Sequence, residues 1–224
     1  VTDAASATGT QSFTVSVANT NDAPSVSSTA VTAATEDSSY SYSITSSDDD
    51  SDSSDSWTVT ATSISWLTLS HTAGASTATL SGTPANGDVG DHAVTVTVTD
   101  AAGAAGTQSF TISVANTNDA PTISSTAVTS ATEDAAYTYT VTAADVDSGD
   151  TVTLAGTTVP SWLTFTASTG VLAGTPANGD VGSNSVVITA TDAAGATATD
   201  TFTITVANTN DAPTISSTAV TSAT

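Results

Sequence analysis

The chain has no lysine and no arginine, so all of its 22 formal charges at neutral pH are negative and its net charge is −22. Charged residues make up 10% of the chain, against about a quarter, of both signs, in an ordinary soluble domain. With no cationic side chain to neutralise phosphate, nucleic acid is a poor partner, and an anionic membrane surface repels the chain. There is no cysteine, so disulfide staples and thiolate metal sites are excluded. No apolar run reaches the roughly 18 residues that span a bilayer as a helix. No signal peptide is visible at Val1, which predicts an internal piece of a longer protein. Aromatics are only 5% of residues. High charge with few aromatics is one signature of disorder, but clean alternation of apolar residues predicts a folded chain that must tolerate self-repulsion.

What is present is repetition. The hexapeptide NTNDAP occurs at residues 19–24, 116–121 and 208–213, giving periods of 97 and 92 residues. GTPANGDVG occurs at 82–90 and 174–182, and PTISSTAVTSAT at 121–132 and 213–224. A period near 95 is too long for a solenoid rung and suits one β-sandwich domain of about 100 residues. The predicted organisation is the C-terminal strands of a preceding repeat over 1–23, whole repeats over 24–120 and 121–212, and the first strand of a following repeat over 213–224.

Period-two patterning places the strands. Tyr40, Tyr42 and Ile44 alternate with Ser, as Tyr137, Tyr139 and Val141 alternate with Thr. Val94, Val96 and Val98 precede Phe110, Ile112 and Val114; Val186, Ile188 and Ala190 precede Phe202, Ile204 and Val206. Successive strand side chains face opposite ways, so one face packs and the Thr/Ser face meets water. No stretch sustains a helical period. The fold class is all-β: tandem Ig-like Greek-key sandwiches in a linear array, with antiparallel pairing expected. Trp66 in ISWLTL and Trp162 in PSWLTF share one frame and are expected in the core; Trp57 has no counterpart.

The acids return in register. Glu36 precedes Asp48 by twelve residues, and Glu133 precedes Asp145 by twelve. Asp48-Asp49-Asp50 matches Asp145-Val146-Asp147; Asn86-Gly87-Asp88 matches Asn178-Gly179-Asp180; Asp100 matches Asp192, and Asp3 is an earlier copy. All fall at strand ends or in loops. Calcium takes six to eight oxygens from carboxylates, amides and backbone, and D-x-D spacing lets two carboxylates converge from one turn. Softer metals want His or Cys, of which there are two and none. Solvation of domain ends, copied with the repeats, is the alternative. The denser acidic run at 48–55 is expected to be a solvated loop.

The frame Y-x-Y, DVDSGD, PSWLTF, TGVLAGTPANGDVG, TATDAAG and FTITVANTNDAP resembles the cadherin superfamily, in particular the dystroglycan-type cadherin-like and Ig-like repeats of large bacterial surface proteins. That resemblance implies calcium between consecutive repeats, one to three ions per linker, with ligands from both sides. Carried over, the second linker would use Glu36, Asp88, Asn116, Asn118, Asp119, Asp145, Asp147 and Asp192. The first would use Asn19, Asn21, Asp22, Asp48, Asp50 and Asp100. The third would use Glu133, Asp180, Asn208, Asn210 and Asp211. The sequence departs from the cadherin pattern where Asn116 replaces the leading Asp of the linker, where the second Asn before Ala120 is missing, and where Asn86-Gly87-Asp88 replaces D-R-E.

Three functions follow as expectations. The first is a set of extender repeats of an extracellular adhesin or surface filament, stiffened by calcium and partnered by neighbouring repeats or by other copies in a fibre. The second is a glycan- or ice-binding, or O-glycosylated, module using Thr-rich strand faces such as Thr95, Thr97 and Thr99. The third, an enzyme, is disfavoured: His71 and His92 have no repeated counterparts, and a catalytic cleft would not be duplicated at strand ends.

Overall fold

A computed structural model describes residues 1–50, 58–219 and 221–222. It divides into two compact units, Val1–Thr117 and Asn118–Thr224. Trp57 and the later acids of the run at 48–55 lie outside the described residues.

The first unit carries β1 (Ser25–Val26), β2 (Ala33–Thr35), β3 (Tyr40–Ser47), β4 (Thr58–Ala61), β5 (Leu67–His71), β6 (Thr77–Gly82), β7 (Gly90–Thr99) and β8 (Ala105–Ala115). They form two four-stranded sheets, ordered β1-β3-β6-β5 and β2-β8-β7-β4. The second unit carries β9 (Thr122–Ile123), β10 (Ser130–Thr132), β11 (Tyr137–Thr140), β12 (Ala143–Ala144), β13 (Thr153–Thr158), β14 (Leu163–Thr166), β15 (Val171–Gly174), β16 (Gly182–Thr191) and β17 (Thr197–Ala207). Its sheets are ordered β10-β17-β16-β13 and β11-β15-β14, with β12 paired to β9 beside them. A single-turn 3-10 segment sits in each unit, at Asn86–Asp88 and Asn178–Asp180.

The alternation places the cores where the pattern predicts. Tyr40, Tyr42, Ile44, Leu80, Val94, Val96, Val98, Ile112 and Val114 are buried in the first unit. Tyr137, Tyr139, Val141, Leu172, Val186, Ile188, Ile204 and Val206 are buried in the second. Each such aliphatic side chain contributes about 1.5–3 kcal/mol on burial. Trp66 and Trp162 join these cores, edge-on to Tyr40 at 5.6 Å and to Tyr137 at 5.7 Å. The glycine opening each GTPANGD segment makes room for that tryptophan turn. A Cβ at Gly82 would lie 1.8 Å from the carbonyl oxygen of Trp66, and one at Gly174 would lie 1.9 Å from that of Trp162.

Two expectations are corrected. Pairing is not purely antiparallel: β2 runs parallel to β8 and β10 parallel to β17. The opening segment of each repeat begins on one sheet, as β1 on β3 or β9 on β12, and then crosses to the other sheet beside the last strand. Residues 1–23 hold an isolated bridge, Thr2 to Thr8, rather than two long strands. Their alternating Phe13, Val15 and Val17 are 81%, 70% and 90% exposed. Alternation makes a strand only where a second face covers it.

Candidate cation sites at the ends of each repeat

Two loop clusters gather carboxylates in the second unit, one at its leading end, near Asn118, and one at its trailing end, near Asp211. At the leading end, carboxylate oxygens of Asp145, Asp147 and Asp150 all lie within 4.8 Å of one another. The turn builds itself around them. The Asp147 amide donates to Asp145 Oδ1 at 2.9 Å, and the Asp119 amide donates to Asp147 Oδ2 at 2.8 Å. Asp150 Oδ1 accepts from the amides of Thr151 and Ala193 at 2.6 and 3.2 Å, tying this turn to the TDAAG loop. In that loop, Asp192 Oδ1 accepts from the Ala196 amide at 2.7 Å and Oδ2 from Asn118 Nδ2 at 2.8 Å.

The first unit repeats the arrangement. The Asp50 amide donates to Asp48 Oδ1 at 3.1 Å, and Asp50 accepts from Asn19 Nδ2 and the Asp22 amide, each at 2.5 Å. Asp100 accepts from the Ala104 amide at 2.8 Å and from Asn21 Nδ2 at 2.9 Å. The Asn21 amide is the main cause holding Asp100 below the ordinary carboxylate value, and backbone amides of its loop add to it against partial desolvation. Asn118 does the same for Asp192.

At the trailing end of the second unit, Glu133 is 2% exposed. Its Oε2 accepts from the Thr209 amide at 3.0 Å, while the Thr209 hydroxyl donates to the Glu133 carbonyl at 3.1 Å. Carboxylate oxygens of Glu133, Asp134 and Asp211 lie within 4.8 Å of one another, and Asn178 Nδ2 reaches Asp211 Oδ2 at 3.4 Å. In the first unit Glu36 is 1% exposed and holds the amide and hydroxyl of Thr117 in the same way, each at 3.2 Å.

The residues fit a hard divalent cation. Among the described residues, four buried side-chain polar atoms have no hydrogen-bond partner. Three of them are carboxylate oxygens of these clusters: Glu36 Oε1, Asp48 Oδ2 and Asp145 Oδ2. A buried carboxylate oxygen without a donor is costly, and the sequence has no Lys or Arg to meet it. An oxygen-only donor set of this kind suits calcium.

The structure distributes the nominated residues unevenly. Asp145, Asp147, Glu133 and Asp211 converge in clusters. Asp100 and Asp192 are engaged by the linker amides of Asn21 and Asn118. Asn116, Asn208 and Asn210 are exposed, Asn208 and Asn210 bonding backbone carbonyls of the next residue. Asp88 and Asp180 cap their own turns: Asp88 Oδ2 accepts from the Ala85 amide at 3.0 Å and Asp180 Oδ2 from the Ala177 amide at 2.9 Å. Sequence reasoning missed Asp37, Asp134 and Asp150, and the threonines at 117 and 209. The available signal was the dipeptide Glu-Asp, present in both repeats at 36–37 and 133–134. Both histidines bond their own loops, His71 Nε2 with the Ala75 carbonyl at 3.0 Å and His92 Nε2 with that of Asp88 at 2.7 Å.

The family model described as "Putative Ig domain" matches residues 23–115 and 120–207. Among solved structures, the chain is similar to protocadherin gamma B2 extracellular cadherin domains 1–5, at 20% identity and a TM-score of 0.55, over 87% of this chain and 42% of that one. It is also similar to an endo-fucoidan hydrolase of glycoside hydrolase family 107, at 29% identity and a TM-score of 0.40, over 84% of this chain and 29% of that one. The chain thus spans less than half of either. No curated protein matches it.

Proposed function

We propose, from the premise that this chain belongs to the Putative Ig domain family in two tandem copies, that it is a calcium-stiffened spacer of an extracellular adhesin or surface filament. Ig-like and cadherin-like repeats are structural or adhesion-type modules; the calcium and the extracellular setting are what this reading adds. The observation that carries it is the recurrence, in both repeats, of acidic clusters whose buried oxygens have no donor in a chain without one basic side chain.

The NTNDAP copy at 116–121 is flanked in sequence by the Glu36 cluster of the repeat before it and by the Asp145 cluster of the repeat after it; within this sequence the copy at 19–24 is followed by the Asp48 type and the copy at 208–213 is preceded by the Glu133 type. Bound calcium neutralises these carboxylates and fixes the short connection between repeats. Without the ion, like charges repel and the connection loosens. Extracellular calcium modules work near 10⁻⁴–10⁻³ M, so the expected affinity lies in that range.

Calorimetric calcium titration of the chain, combined with small-angle scattering in calcium and in chelator, tests this. Heat of binding with a stiffer, more extended particle in calcium is the expected result. Identical scattering under both conditions, with no binding heat at millimolar calcium, would falsify the reading.

A further inference from the structure

We infer that Asp134, and its counterpart Asp37, directly ligate the cation, in the place the sequence offers to Asp180 and Asp88. This rests on the calcium reading above.

Asp180 is already used. Its Oδ2 accepts from the Ala177 amide at 2.9 Å, and its own amide closes the turn on the Ala177 carbonyl at 2.8 Å. Asp88 makes the same two bonds with Ala85, at 3.0 and 2.8 Å, and also accepts from Ser65 Oγ at 3.3 Å. Turning the capping Oδ2 of either carboxylate to a metal would undo the turn.

Asp134 has no such duty. It is exposed, yet its carboxylate comes within 4.8 Å of the oxygens of buried Glu133 and of Asp211. The backbone that presents it is unusual: φ is +61° at Asp134 and +58° at Asp37. Glycine or asparagine would meet that left-handed conformation at least as easily. Each residue is pinned there by its own amide, which donates at 2.9 Å to the carbonyl of Pro176 or Pro84 in the GTPANGD segment. That segment therefore serves the site twice: it locks the Glu-Asp turn, and it brings Asn178 to Asp211 at 3.4 Å.

A second observation points independently to a ligand. Glu36 is 99% buried, its Oε1 has no hydrogen-bond partner, and its carboxylate lies within 4.8 Å of that of Asp37. Burying an anionic oxygen beside a second carboxylate is costly, and a cation held between the two offsets that cost.

The test is an amide NMR titration of the 224-residue chain with calcium alone. The Thr209 amide, bonded to Glu133, reports the trailing site, and the Ala196 amide, bonded to Asp192, reports the leading end. In Asp134→Asn the Thr209 midpoint should weaken at least about tenfold, as removal of a metal-site partner does, while the Ala196 midpoint stays put. Asp134→Gly, relaxed at this φ, should show the same loss with an unchanged melting temperature in chelator. Asp180→Asn should lower the chelator melting temperature and keep the Thr209 midpoint near wild type. An unshifted Thr209 midpoint in both Asp134 variants would overturn the inference and leave the calcium reading standing. A wild-type chain whose Thr209 and Ala196 amides ignore millimolar calcium would remove both.

Discussion

His92 and Asn184 occupy matching positions in the two repeats and isolate one hydrogen bond. Asn184 Oδ1 accepts from Trp162 Nε1 at 3.1 Å while its amide donates to the carbonyls of Asp180 and Gly182. His92 keeps the bond to Asp88 and an edge-on contact with Trp66 at 6.0 Å, but leaves Trp66 Nε1 buried without an acceptor. Asn184→Ala should therefore cost about 1–3 kcal/mol, read by denaturant unfolding. His92→Asn should recover up to about 1 kcal/mol in the first repeat, the new bond outweighing the lost ring contact. Titration adds a second residue-level expectation. Burial, with a smaller contribution from the neighbouring Tyr42 or Tyr139, pushes the Tyr40 and Tyr137 hydroxyls from 10.0 up to about 12. The unfolded chain loses these protons first, so stability is intact below pH 10 and falls as pH rises toward 12. Tyrosinate absorbance and circular dichroism should change together in that window. Asp100 and Asp192 work in the opposite sense. Their lowered values stabilise the fold above the ordinary Asp range, about 3.9, and that contribution disappears as pH falls through the lowered values. The side-chain amide resonances of Asn21 and Asn118 should shift with the acid transition.

At the scale of the element, the first glycine of each GTPANGD segment allows close passage of the tryptophan turn. Gly174→Ala would drive a methyl group into the Trp162 carbonyl. It should cost about 1–3 kcal/mol or more as overpacking does, measurable as a lower melting temperature of the second repeat. Period-two patterning made most of this architecture legible. Tyr137, Tyr139 and Val141 are buried as their alternation predicts, and so are Val186, Ile188, Ile204 and Val206. Alternation assigns a face but no partner, so the parallel pairing of β2 with β8 and β10 with β17 had no signal in it. The same limit applies to the site. Recurring acids announced carboxylate clusters near strand ends, and Asp145, Asp147, Glu133 and Asp211 do converge. Asp88 and Asp180 read identically in sequence, yet a three-residue turn needs a cap for its amides, and they supply it. Asp134 was hidden because its role depends on a backbone angle that composition does not encode.

Over the whole molecule, a net charge of −22 with no compensating cation makes stability a function of the surrounding salt. Screening shortens the reach of repulsion to about 10 Å at 0.1 M ionic strength, so the melting temperature should rise with sodium chloride. Calcium should raise it further at far lower concentration, because clustered carboxylates are neutralised in place. A calcium effect no larger than that of equal ionic strength of sodium would count against site binding. The pairing of β10 with β17 has a last consequence. Ser130–Thr132 lies near the start of its repeat and Thr205–Ala207 at its end, side by side and parallel. Tension applied through the two chain ends of that repeat pulls these neighbours in opposite directions along their length. Their hydrogen bonds are then loaded in shear, all at once, instead of being unzipped one by one, and the domain gains resistance to being drawn out under traction.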